Sequence, residues 1–140
     1  MSCAGRGRML VVDASCLCDL LTEAPGSDAI DRRLAADPDH AAPHVVDVEV
    51  LGVVRREHFR GRLDRTAATQ AIEDLAAWPG ERFSHLLLLR RAWELRDNVR
   101  GWDAMYVALA EALDAVLVTK DRRLAAATGP TCRIEAIGGG

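Results

Sequence analysis

Ala115-Val116-Leu117-Val118-Thr119-Lys120-Asp121 is the stretch on which the fold turns. Its valines and leucine run without alternation, as they do in a strand buried on both faces. The run then stops on a hydroxyl, a cation and a carboxylate. Near the start of the chain, Met9-Leu10-Val11-Val12-Asp13 has the same design, a short aliphatic run closed by an aspartate. If the two runs are neighbouring parallel strands, Asp13 and Asp121 emerge at one sheet edge. In open α/β sheets the carboxyl ends of the strands are where ligands bind.

Helical and extended segments alternate around these two runs. Residues 15–21 read as a helix, broken by Pro25-Gly26, and residues 29–36 as another, with Ile30 and Leu34 at helical spacing. Residues 41–44 are extended and lead into a helix over 46–59, closed by Gly61 as a C-terminal glycine. A further helix starts at 63–66 and runs to Trp78, where Pro79-Gly80 stops it. Residues 81–84 form a short strand. A helix over 86–96 carries Leu86, Leu89, Ala92 and Trp93 on one side. After a loop at 98–101, a long amphipathic helix spans 102–113. A short helix over 122–127 and a strand over 133–137 complete the chain. This alternation predicts an α/β fold, a central, mostly parallel β-sheet flanked by α-helices on both faces. Residues 9–137 form the domain, 1–8 a disordered leader with Met9 as a second candidate start, and 138–140 a flexible tail.

A chain of 140 residues is one domain by length, and it buries roughly two-thirds of its unfolded surface without staples. Its 49% hydrophobic content excludes wholesale disorder. The apolar runs fall far short of the ~20 residues of a membrane span, and no complete signal peptide is present. A cytoplasmic protein is expected. Cys3, Cys16, Cys18 and Cys132 have no CxxC spacing, which argues against zinc. Cys16 and Cys18 read as small buried hydrophobes. The net charge of −3 argues against a nucleic-acid coat protein but leaves room for a nuclease. Basic residues group at Arg55, Arg56, Arg60 and Arg62; at Arg90, Arg91, Arg96 and Arg100; and at Lys120, Arg122 and Arg123. Taken singly, each arginine reads best as part of a solvated helix face.

Four acids stand out: Asp13, Glu49, Asp103 and Asp121. Each has an ordinary explanation. Asp13 caps a helix through the N–H of Ser15 or Cys16, Asp103 complements a helix dipole, Asp121 caps the helix that follows it, and Glu49 is a polar position on a helix. Their surroundings suggest more. Glu49 sits among Val45, Val46, Val48, Val50 and Leu51, and burying an unpaired charge is costly. A ring of carboxylates at strand ends suits a hard divalent cation such as Mg²⁺ or Mn²⁺. Two further acids rank lower. Asp47 points away from Glu49 on a helix, and Asp19 falls on the exposed side of its own.

The ordered set resembles the PIN-domain ribonucleases, specifically the VapC-type toxins of bacterial toxin–antitoxin modules. The stretches that carry the resemblance are Val11-Val12-Asp13-Ala14-Ser15, Val46-Asp47-Val48-Glu49-Val50-Leu51, Ala92-Trp93-Glu94-Leu95-Arg96, Trp102-Asp103-Ala104-Met105-Tyr106-Val107-Ala108-Leu109-Ala110 and Leu117-Val118-Thr119-Lys120-Asp121-Arg122-Arg123-Leu124. Before the third acid the family often has a small hydroxyl residue and then an aromatic. Here the aromatic, Trp102, is kept and the hydroxyl is replaced by Gly101.

The resemblance implies that Asp13, Glu49, Asp103 and Asp121 form an acidic cage for Mg²⁺ or Mn²⁺. Asp13 and Asp103 would be the direct ligands. Glu49 and Asp121 would act through water or orient the nucleophile. Ser15 and Thr119 would place hydroxyls beside the cage, and Asn98 would support it or contact RNA. The implied activity is metal-dependent endoribonuclease action that inhibits growth, in-line hydrolysis leaving a 5′-phosphate and a 3′-hydroxyl. RNA would be held by arginine–phosphate contacts. The implied partners are a cognate VapB-type antitoxin, a second toxin copy in a homodimer, and operator DNA reached only through the antitoxin. Two other readings stay open. One is a phospho-receiver-like Mg²⁺-binding domain, for which Asp13-Ala14 lacks the usual acidic pair. The other is a catalytically idle PIN scaffold.

Overall fold

The computed structural model describes residues 8–138. The expected leader and tail lie outside the described residues, apart from Arg8 and Gly138. Arg8 is tied to the domain: its N–H donates to Asp37 Oδ1 at 2.9 Å and its guanidinium meets Asp114 Oδ1 at 3.2 Å.

Among the described residues the sheet has five strands: β1 (Leu10–Val12), β2 (His40–Pro43), β3 (Glu81–Phe83), β4 (Val116–Thr119) and β5 (Ile134–Ala136). Every pairing is parallel and the order is β3-β2-β1-β4-β5. From β1 the chain moves outward through β2 to β3, then crosses back to lay β4 on the other side of β1. The β1–β4 border is therefore the topological switch point, where α/β sheets open a crevice beyond their carboxyl ends. Val12 pairs with Val118 there, so the residues that follow both strands leave the sheet together. Every residue of β1 and β4 is buried, which requires cover on both faces. The order also differs from the flavodoxin-like 2-1-3-4-5 arrangement of receiver domains, against that alternative.

Seven α-helices are seen among the described residues: α1 (Ala14–Leu21), α2 (Ser27–Ala36), α3 (Val45–Phe59), α4 (Arg65–Ala77), α5 (Leu89–Glu94), α6 (Asp103–Ala112) and α7 (Arg122–Ala125). Helices α1, α3 and α4 pack against one another, while α5 packs on α6 and α6 lies along β1, β2 and β4. Helix α3 buries Val46, Val50 and Val54, one residue per turn, against this group. It ends at Gly61, whose φ of 76° is left-handed, as the sequence predicts. Asp64 caps α4 by accepting from the Ala67 N–H at 2.8 Å. Arg82 closes the other end of α4. It donates to the carbonyls of Leu75 and Trp78 and forms a two-bond pair with Asp47. That pairing removes Asp47 from the acid cluster, as its ranking anticipates.

Three expectations change. The segment at 86–96 is split: a 3-10 turn over Leu86–Leu88 precedes α5, and the side carrying Leu86, Leu89 and Trp93 faces solvent at 74%, 50% and 67% exposure. Leu88, Leu95 and Val99 go inward instead. The run Leu86-Leu87-Leu88-Leu89 puts a leucine on every side of a helix, so periodicity alone cannot choose the buried one. Asp19 is part-buried rather than solvated, because it pairs with Lys120 across from β4. Asp13 begins α1 but its carboxylate makes no cap hydrogen bond; the N–H groups of Cys16 and Leu17 bond its backbone carbonyl instead.

Candidate active site

Asp13 follows β1 directly and is 5% exposed. Its Oδ2 accepts from Thr119 Oγ1 at 2.6 Å and from Ser15 Oγ at 3.1 Å. Both hydroxyls are themselves aimed by backbone at the end of β4. The Asp121 N–H donates to Thr119 Oγ1 at 3.0 Å, and the Lys120 N–H donates to Ser15 Oγ at 3.3 Å. Two short relays thus run from the turn after β4 to one carboxylate. Hydrogen bonds to a charged group contribute roughly 1.5–3 kcal/mol each. Burial still wins: desolvation raises the Asp13 pKa against the pull of Thr119 and Ser15, and the Asp121 charge adds to the rise.

Asp121 follows β4 and caps α7, its Oδ1 accepting from the N–H groups of Arg123 and Leu124 at 2.8 and 3.3 Å. The cap fixes the carboxylate at the switch point, so the structural and functional readings of this residue coexist. Asp103 opens α6 from the far side of the cleft. Burial raises its pKa to about 6, helped by Asp13 and Asp121 and opposed by Arg100. Glu49 comes from the middle of α3. Burial raises its pKa as well, the Tyr106 hydroxyl lowers it, and Asp13 and Asp103 raise it further. The four acids come from four separate places in the chain and act on one another's charge.

Asn98, Arg96, Arg100 and Arg123 line the same cleft as Asp103 and Asp121. Asn98 rests against Gly129, where a Cβ would stand 3.1 Å from the Asn98 amide nitrogen and the φ of 107° already favours glycine. Among the described residues no hydrogen bond joins the Asn98 side chain to the four acids. Arg96 stacks over Trp93 at 4.3 Å.

Among the described residues, no three His, Cys, Asp or Glu side chains close into a metal's ligand set. The donor chemistry nevertheless fits a hard cation. All four groups are carboxylates, and three of them are held above their ordinary pKa in part by each other's charge. Mg²⁺ keeps several of its waters and binds through one or two carboxylates together with substrate phosphates, so a closed protein cage is not required.

Tyr106 is a site residue that sequence reasoning did not single out. Its hydroxyl donates to Glu49 Oε1 at 2.6 Å. A signal was available: Tyr106 is the chain's one tyrosine, three residues beyond Asp103 on a helix, and a buried phenol normally seeks a partner.

Comparison with known proteins places the chain in a family and supports its fold. A family model described as the PIN domain matches residues 10–130. Ribonuclease VapC1 of Mycobacterium tuberculosis is 38% identical over 128 residues, 91% of this chain and 96% of the relative. The crystal structure of PAE2754 from Pyrobaculum aerophilum superposes with a TM-score of 0.66 at 26% identity, covering 91% of this chain and 83% of the other. VapBC2 from Rickettsia felis, solved bound to a DNA fragment from their promoter, gives a TM-score of 0.69 at 15% identity over 93% and 99% of the two chains, a likeness of fold.

Proposed function

The chain belongs to the PIN-domain family and, within it, to the VapC ribonucleases, and we propose that it is the endoribonuclease toxin of a toxin–antitoxin pair with Asp13, Glu49, Asp103 and Asp121 as its catalytic acids. What supports this reading is that Asp13 and Asp121 follow the paired strands β1 and β4, that Asp103 lines a cleft with Asp121, and that Asp13 and Asp103 both bear on the charge of Glu49. Asp47 and Glu111, by contrast, are held in direct pairs with Arg82 and Arg91.

PIN-domain nucleases depend on divalent metals. In this chain Asp13 and Asp103 would hold Mg²⁺ or Mn²⁺ directly, with Glu49 and Asp121 acting through water. A cation held there would lower the pKa of a water and neutralise charge on phosphoryl oxygens. The protein's own part is positional. Thr119 and Ser15 keep the Asp13 carboxylate in one orientation, and the α7 N–H groups do the same for Asp121. Arg96, Arg100 and Arg123 line the same cleft and would meet the phosphates of RNA. On this reading cleavage would use activated water and leave a 5′-phosphate and a 3′-hydroxyl. The purified protein is expected to cut RNA in Mg²⁺ or Mn²⁺ and to give those ends by product analysis. Products ending in 2′,3′-cyclic phosphate would overturn the reading.

The exposed apolar surface supports the partners proposed for this chain. Val48, Leu51 and Phe59 of α3 are exposed, as are Leu86, Leu87 and Trp93 around α5. Apolar groups displayed in this number mark interaction surfaces. They fit a VapB-type antitoxin and a second toxin copy, with operator DNA reached through the antitoxin. An antitoxin segment lying along α3 would send an arginine toward Asp13 and Asp103. Guanidinium and metal then compete for the same carboxylates. Affinity for an isolated inhibitory peptide is expected to fall across a Mn²⁺ titration. Unchanged affinity, where Mn²⁺ demonstrably occupies the site, would refute the shared site. No described helix is long and apolar enough to cross a membrane.

A further inference from the structure

Tyr106 is fully buried. It shares a face of α6 with Asp103, three residues before it. Its hydroxyl lies 2.6 Å from Glu49 Oε1. A buried phenol needs a hydrogen-bond acceptor, but a backbone carbonyl would serve that need without an electrostatic cost. The acceptor here is instead a half-buried carboxylate on another helix, in a cleft where Asp13 and Asp103 already oppose its charge. Packing alone does not account for that choice. The contact also makes α6 the carrier of two acids at once. It supplies Asp103 itself and holds Glu49 of α3 by one oxygen.

We propose that Tyr106 is the positioning residue of the acid cluster: it fixes Glu49 through Oε1 and so presents Oε2 toward the space shared with Asp13 and Asp103. The inference rests on the four acids being the cation site argued above. Tyr106 does not touch the reacting atoms; it acts through Glu49.

The test is Mn²⁺ affinity, measured by water-proton relaxation without RNA, for the unaltered protein, Tyr106→Phe, Glu49→Gln and the double variant. Phenylalanine keeps the ring in the core and removes only the hydroxyl, and a melting curve for each variant confirms folding. Tyr106→Phe is expected to weaken Mn²⁺ binding by about tenfold, as loss of a group that orients a metal ligand does. It should add nothing once Glu49→Gln is present. A phenol that served packing alone would lower the melting temperature and leave Mn²⁺ affinity unchanged, and that result would overturn the proposal. An equal loss in both backgrounds would also overturn it, because Tyr106 would then not act through Glu49. If Glu49→Gln itself leaves Mn²⁺ binding unchanged, the placing of Glu49 in the cation site fails, and the inference falls with it.

Discussion

Asp103→Asn is expected to slow RNA cleavage by roughly a thousandfold, the scale of losing a few kcal/mol of metal-borne transition-state stabilisation. The variant should nevertheless melt at a higher temperature than the unaltered protein in EDTA at pH 7. Two physical effects separate here. The Asp103 carboxylate is pressed by burial and by Asp13 and Asp121, and no hydrogen bond to its side chain is seen among the described residues to compensate. Removing its charge relieves that pressure. Asp13→Asn should lose activity to a similar degree, but with a smaller gain in stability. Its carboxylate accepts two hydroxyl hydrogen bonds that an amide reproduces less well. Single-turnover cleavage and melting curves on the same preparations check both statements. An Asp103→Asn protein that loses activity only because it unfolds would make the acid a structural cap.

The same electrostatics give metal-free stability an unusual pH dependence. Asp103 has a folded pKa of about 6 against an ordinary 3.8, and Asp13 and Glu49 are raised as well. Between those values the folded state binds more protons than the unfolded one, so stability rises as pH falls. The melting temperature in EDTA should therefore climb as pH is lowered from about 7.5 toward 5. Asp37, Glu57 and Glu135 behave oppositely. Arg33, Arg62 and Arg33 respectively hold their carboxyls below the ordinary range, and their contribution is lost in stronger acid. A maximum in mildly acidic buffer is the expected outcome. Asp103→Asn should flatten the rising limb, and saturating Mn²⁺ should abolish it. A melting temperature that falls steadily from pH 7.5 downward would contradict the mutual repulsion of the acids.

The strands that frame the site were legible because β1 and β4 are written as unbroken aliphatic runs, and an aspartate at the end of each is a local feature of the chain. Glu49 and Asp103 were legible as acids set among apolar neighbours on helices. What each acid touches was not. From its neighbours in the chain alone Asp13 reads as a cap, and only the family resemblance brings the Ser15 and Thr119 hydroxyls near it. Its hydroxyl partner Thr119 lies 106 residues away, a pairing created only when β4 docks on β1. The Glu49–Tyr106 bond spans 57 residues and the Asp47–Arg82 pair spans 35. Such contacts leave no periodicity. The leucines at 86–89 fail for a different reason. Too many positions are apolar for the pattern to name an inner side, and it is tertiary packing that selects Leu88 and Leu95.

The claim that these four acids hold the cation that cleaves RNA is tested most directly by titrating Mn²⁺ into the metal-free protein while following equilibrium binding and the initial rate of RNA cleavage in parallel samples. The account predicts that both curves reach half-saturation at the same Mn²⁺ concentration. It also predicts that Asp103→Asn weakens binding and suppresses cleavage together. Full-rate cleavage in EDTA would contradict it, as would an Asp103→Asn protein that loses Mn²⁺ binding yet still cleaves RNA.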